Sequence, residues 1–301
     1  MATLHNNAVP ASGSGGTGMW YGDRGVFLGG GSTVIDYITI ASPGNAIDFG
    51  DLLALKHYLS ACSNGSRGVV CGGYNSSAST ALDYITIATT GNASDFGDAL
   101  TARIQTAMVS DSTRGVITGG ADASWVHVTS MDYITIATTG NASAFGTVFS
   151  AGKPRGTCSD GIKGFTAGGY AAAGRQTVIE YITIQTTGNG VDFSDLTLAR
   201  NGLAGCSDAT RGVFGGGYAD GGSVNTIDYI TMATTANAVD FGDLTVSSRS
   251  DLGAASDGVY AVFVGDPTTI DYVTIQTTGN ATDFGDLTTS RGTGTAATSG
   301  N

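Results

Sequence analysis

The pentapeptide Asp-Tyr-Ile-Thr-Ile at residues 36–40 returns unchanged at 83–87 and 132–136, and with one substitution each at 180–184, 228–232 and 271–275. Its tyrosines, Tyr37, Tyr84, Tyr133, Tyr181, Tyr229 and Tyr272, are 47, 49, 48, 48 and 43 residues apart. Such a period describes one supersecondary unit copied six times, each copy too small to bury a core of its own. In an extended strand Tyr84 and Thr86 fall on one face and Asp83, Ile85 and Ile87 on the other. Apolar or aromatic residues on both faces predict an interior strand packed from two sides.

Composition agrees with short strands and many turns. There are 48 glycines and four prolines, with no helix-period run of charges and no Gly-X-Y period, which excludes coiled coil and collagen. The net charge of −12 opposes nucleic-acid phosphates and anionic membranes, so no nucleic-acid partner is expected. Of 25 acids, 16 occupy three repeat positions. Six begin the tyrosine strand (Asp36, Asp83, Asp132, Glu180, Asp228, Asp271), five precede a phenylalanine (Asp48, Asp95, Asp192, Asp240, Asp283), and five follow it (Asp51, Asp98, Asp195, Asp243, Asp286). A charge present in every unit reads as scaffold, not as a catalytic carboxylate.

No apolar run approaches the length of a membrane span, so no membrane insertion is expected. The first ten residues, M-A-T-L-H-N-N-A-V-P, lack the basic and apolar regions of a signal peptide, which predicts synthesis in the cytoplasm without one. Four cysteines in a chain this long do not form a disulfide framework. Cys62, Cys158 and Cys206 share one repeat position with Val109, Ala255 and Ala297, a small apolar slot, and all four thiols are predicted reduced. The sequons at Asn64, Asn75, Asn92, Asn141 and Asn280 read as turns rather than glycan acceptors.

One unit is clearest at 195–242: D-L-T-L-A-R, a short run N-G-L-A-G-C-S, a polar turn, R-G-V-F-G-G-G, a variable loop, I-D-Y-I-T-M, a second turn and V-D-F-G. This predicts four short strands, A to D, with the D-L-T-L-A-R segment opening strand A. The Gly-Asn pair in the C–D turn predicts a tight hairpin with positive φ, and the double glycine after strand B predicts close backbone approach. Six four-stranded antiparallel units predict an all-β chain folded as a six-bladed β-propeller. The expected boundaries are a flexible arm at 1–18, blade 1 from 24–50 plus 291–301, then blades at 52–98, 99–146, 147–194, 195–242 and 243–286. Residues 295–301 align with 60–66, so the C-terminal stretch is expected to supply strand A of blade 1. A competing closure uses 19–22 for that strand.

These residues resemble kelch repeats, which carry a double glycine closing strand B, a tyrosine about a dozen residues on, an aromatic after a turn, and an arginine before the next strand A. Here one copy supplies Gly216, Gly217, Tyr229, Phe241 and Arg249, with phenylalanine where kelch repeats usually carry tryptophan. The wording D-Y-I-T-I-A-T-T-G-N-A with T-R-G-V-F-G-G-G is similar to kelch-like repeat proteins of tailed bacteriophages, particularly of marine bacteria and cyanobacteria. That resemblance implies a virion component near the tail, fibres or capsid surface, made in the host cytoplasm. Its partners would be other virion proteins, docked through 1–18, or a host surface glycan or receptor.

Catalytic chemistry is hard to find. His5, His57 and His127 are the only histidines, no metal-ligand spacing exists, and no cofactor is expected. One basic position precedes strand B (Arg24, Arg67, Arg114, Lys163, Arg211), with Tyr260 in the sixth copy. It offers either an anion site near the axis or a structural ring that satisfies carbonyls or repeated Asp. A second basic position (Lys56, Arg103, Arg200, Arg249, Arg291) matches the kelch arginine. Individual function should sit where the copies differ, on the B–C loops, which are long in blades 2–5 and short in blades 6 and 1. Trp125, His127, Tyr74, Tyr170, Arg175 and Tyr218 lie on or beside the high side of that face. Such aromatics suit sugar stacking or a protein contact, or else pack between blades.

Overall fold

A computed structural model describes residues 21–149, 156–246, 251–265, 267–292 and 294–301. Six four-stranded antiparallel sheets form the blades of a β-propeller, with no helix among the described residues. The innermost strands, in blade order, are Thr295–Gly300, Ser60–Ser63, Ala107–Ser110, Gly156–Ser159, Ala204–Ser207 and Gly253–Ser256. In blade 1 the C-terminal strand pairs with Arg24–Gly29, running from Arg24 opposite Gly300 to Gly29 opposite Thr295. The ring is therefore closed by the two ends of the chain. Tyr21 and Gly22 lie outside any strand, while Met19, Trp20 and the proposed arm at 1–18 lie outside the described residues.

The core confirms that no blade stands alone. Each buried cluster spans two neighbours: Val26, Leu28, Ile35 and Phe49 of blade 1 pack on Val70, Ile85 and Ile87 of blade 2, and the pattern continues round the ring. The tyrosine strand is buried on both sides as its alternation requires, Asp83 and Ile85 on one face and Tyr84 half-buried on the other. A register shift recurs where strands C and D pair, at Ile35/Asp36 and its five equivalents. The bulge leaves the phenylalanine unopposed and turned inward, edge-on to the tyrosine of its own blade, with centroids 5.8 to 6.3 Å apart.

The repeated charges form two systems of bolts. The acid opening strand C is buried and bonds to the basic residue entering its own blade, Lys56 to Asp83 at 2.9 Å, Arg200 to Asp228 and Arg291 to Asp36 each at 3.0 Å, and Arg103 to Asp132. Arg249 lies outside the described residues. The threonine of D-L-T caps the same acid: Thr197 donates to Asp228 and Thr245 to Asp271. Strand-B cations sit elsewhere than the axis. Arg24, Arg67, Arg114, Lys163 and Arg211 lie over the tyrosine of their own blade at 4.2 to 4.5 Å. The four arginines also donate across to the next blade, to the carbonyls of Ile87, Ile136, Ile184 and Ile275. In blade 6 the Tyr260 ring takes the cation's place against Tyr272.

Two turn assignments differ from expectation. D-L-T-x-A-R does not open strand A; in blades 1 and 2 it prolongs strand D, giving Ile47–Lys56 and Ser94–Arg103, with Lys56 and Arg103 reaching forward to the acid of the next blade's strand C. Gly44, Gly91, Gly140 and Gly279 of the Gly-Asn pairs have positive φ, +154 to +159, but the pair serves as an inter-blade clip rather than as the tight turn of a hairpin. Gly91 N–H donates to Phe49 O at 2.7 Å and Asn92 Oδ1 accepts from Asp51 N–H at 3.0 Å, with equivalents round the ring. The turn itself is closed earlier, as by Thr89 N–H on Thr86 O. Asparagine at these sites is thus engaged through its side chain. The double glycine behaves as expected: at Gly73, φ +92, a Cβ would lie 2.8 Å from His57 O.

Strand D is outermost in every blade. Of its flanking acids nine are exposed and Asp243 is half-buried, so in five blades the open edge carries charge that opposes pairing with another sheet, while blade 3 has Ala144 and Thr147 at the two positions. All four cysteines are free and buried.

Candidate functional site

Two faces flank the central channel. The A–B and C–D turns make one, and the D–A crossings and B–C loops make the other. On the first, Asp111, Asp160, Asp208 and Asp257 each accept, through one carboxylate oxygen, from the backbone N–H groups two and three residues ahead. Hydrogen bonds from Gln276, Arg211 and Thr210 hold the Asp208 carboxyl below its ordinary range, against a burial that pushes the other way. A ring of serines closes strand A just inside: Ser63 Oγ donates to Ser299 O, Ser110 Oγ to Ser63 O, and Ser207 Oγ to Ser159 O, at 2.7 to 2.9 Å. Tyr21 lies against this end of the channel with its ring on Gly258, its hydroxyl buried without a partner and its ionisation suppressed by burial.

The loop face carries the sequence-predicted residues, and the fold brings them together. Trp125 stands edge-on to Tyr58 and tilted to Tyr74, both at 5.9 Å. His127, two residues on in the same loop, meets Tyr170 at 6.1 Å. Arg175 then spans Tyr170 and Tyr218, 5.7 and 4.7 Å from their ring centres, and is fixed by Tyr218 O at 2.9 Å and Asp220 at 2.7 Å. All six candidates thus join one crescent over blades 2 to 5. They are held by short pairings between loops, His57 with Tyr74, Ile104 with Ala121 and Asn201 with Tyr218, which pin the B–C loops to the D–A crossings, while Ala121 also pairs with His127 within its own loop. Trp125 at 43% exposure, with Tyr170 and Tyr218 at 41%, keep ring surface in water while their other sides pack. These tyrosines pack against neighbouring loops and also keep part of their rings exposed.

Three further residues were not apparent as site candidates. Tyr58, Gln105 and Asp251 sit at the D–A turns and line the channel mouth inside the crescent. The position four before the strand-A slot holds Tyr, Gln, Pro, Gly, Asp and Thr in the six copies, an unusual spread in a repeat this regular. Among the described residues no group of three His, Cys, Asp or Glu side chains converges as a metal site. Nor is any helix there long and apolar enough to cross a membrane. Fold and site together define a β-propeller with an aromatic, arginine-bearing loop face. In comparisons with known proteins, the chain matches no family model and no curated sequence.

Proposed function

We propose that this protein is a non-enzymatic interaction component of a phage virion, a rigid propeller that engages a neighbouring protein through its loop face. The observation that carries the reading is the crescent of Trp125, Tyr74, Tyr170 and Tyr218 with Arg175, on long loops pinned to a closed ring. Aromatic and arginine side chains held rigid lose little entropy on contact, and they are the residues enriched where binding energy concentrates. The virion assignment rests on the repeat wording, which resembles phage kelch-like proteins, and on the arm at 1–18 as a second docking element. Immunolabelling of purified particles with an antibody against the propeller tests it: label on the tail, fibres or capsid is expected, and unlabelled particles overturn it.

A second reading is favoured by the same exposed rings, whose faces suit the apolar side of a sugar, with Arg175 and Asp220 available to hydroxyls. In that case the surface recognises a host glycan. A glycan array with the intact chain separates the two readings. Trp125→Ala and Tyr218→Ala should abolish any signal while leaving the melting temperature within about 2 °C of the parent, since both rings are partly exposed.

A further inference from the structure

Independently of that reading, the channel mouth has a feature the scaffold does not need. The turn into strand A passes through a left-handed backbone at the same point of the repeat. In blade 5 this residue is Gly202, φ +68; in blades 2, 3 and 6 it is Tyr58, Gln105 and Asp251, φ +58, +54 and +58. A residue with a Cβ is strained in that region, and a glycine, as blade 5 shows, serves the turn without strain. Strain retained at several equivalent positions calls for a role for the side chains.

All three residues line one cavity, the mouth of the channel. Gln105 Oε1 is buried there without a hydrogen-bond partner. Asp251 forms no salt bridge among the described residues, and burial alone pushes its carboxyl up to about 6. The Tyr58 phenol ionises less readily because it is buried and near the Asp251 charge. The neighbouring hydroxyls of Ser60 and Thr106 bond to each other at 2.7 Å and so are partly spent. What remains is an acceptor-rich recess beside an aromatic ring, in a chain of net charge −12. Its complement is a group that only donates and carries positive charge.

We propose that the channel mouth binds a ligand bearing a protonated amine. Asp251 is the counter-ion, Gln105 Oε1 accepts a further ammonium N–H, and the Tyr58 ring covers the adjoining carbon stem. The site is separate from the crescent except at Tyr58, which touches Trp125 edge-on.

Calorimetric titration of the full chain at pH 7.5 with putrescine, and with 1,4-butanediol as the neutral isostere, tests the proposal. Saturable putrescine binding with none for the diol is expected, weakened at least tenfold by Asp251→Asn and unchanged by Asp192→Asn at an exposed strand-D acid. A stability arm uses Asp251→Gly, which removes both the strain and the desolvated charge and should raise the melting temperature by about 2–4 °C. No saturable binding of putrescine up to about 10 mM refutes the site. So does equal binding of the diol, which would indicate a hydroxyl ligand, or undiminished binding by Asp251→Asn. A lowered melting temperature for Asp251→Gly would make Asp251 a structural residue and overturn the proposal as well.

Discussion

Deleting residues 292–301 removes the innermost strand of blade 1 and so tests how the ring is held. Six residue pairs lie in register between Thr295–Gly300 and Arg24–Gly29, which corresponds to about six ladder hydrogen bonds. At about 0.5–1.5 kcal/mol net for each, the ladder alone contributes about 3–9 kcal/mol, against about 5–15 kcal/mol for a typical whole domain. The seam also loses Asn301, which accepts from Asp23 N–H at 2.8 Å and donates its own N–H to Gly65 O at 3.1 Å. Ser63 Oγ loses its acceptor on Ser299, and Ala296 leaves the cluster shared by blades 1 and 2. Val26, Phe27 and Leu28, fully buried in the intact ring, come to border an open edge. The truncated chain should elute as aggregate in size-exclusion chromatography and lack a cooperative thermal transition. Deletion of 1–18 should melt like the parent, because it leaves every described contact in place. If the C-terminal truncation melts within about 3 °C of the intact chain, the strand is an ornament on a ring held by blade-to-blade packing alone, and the reasoning fails.

Three further outcomes follow from buried groups. Arg200→Ala should cost about 3–5 kcal/mol in urea unfolding, because it leaves Asp228 buried with its charge unpaired; a loss below about 1 kcal/mol would show that the carboxylate is satisfied without it. The four thiols should resist a thiol-reactive disulfide at pH 8 in the native protein and react fully in guanidinium, since burial raises all four, Cys71 to about 11; rapid native labelling would contradict their burial. For Asp251 the folded carboxyl at about 6 lies above the unfolded value of about 3.9, so between those values the native state holds more protons and stability rises as pH falls through the window. Melting temperatures from pH 7 to 4, referred to Asp251→Asn, should show that rise in the parent alone, and a flat difference would refute it.

The fold was legible because its determinants repeat. Tyr37 and Phe49 recur with their spacing in every copy, and alternation around the tyrosine assigns faces without further information. The closure was legible for the same reason: residues 295–301 match 60–66 although more than two hundred residues separate them. Pairings between repeats were harder to read. Nothing local to Gly-Asn reveals that Asn92 will accept from Asp51 of the preceding blade, or that Arg67 will reach Ile136 O of the next. Those bonds depend on the rotation between blades, which no single unit encodes. D-L-T-x-A-R was assigned to the wrong strand because its threonine and arginine act on an acid about thirty residues later, as Thr197 and Arg200 do on Asp228.

The candidate site divides in the same way. The crescent residues could be named from loop length and residue type, yet their continuity depends on Arg175 crossing from the blade 4 loop to Tyr218 of blade 5. At the channel mouth the informative signal is a position that varies while its surroundings do not. A turn that accepts Gly202 requires only a left-handed backbone, so Tyr58, Gln105 and Asp251 add strain that the turn itself does not need. Two residues before Tyr58 and Gln105 stand the buried ion pairs Lys56–Asp83 and Arg103–Asp132, and Arg103 bonds further to the Ser130 carbonyl, which anchors the chain entering these turns. A turn anchored in that way can bear a residue that would otherwise relax it. The repeated charges therefore do more than join strands: they anchor the backbone from which unlike residues line one mouth.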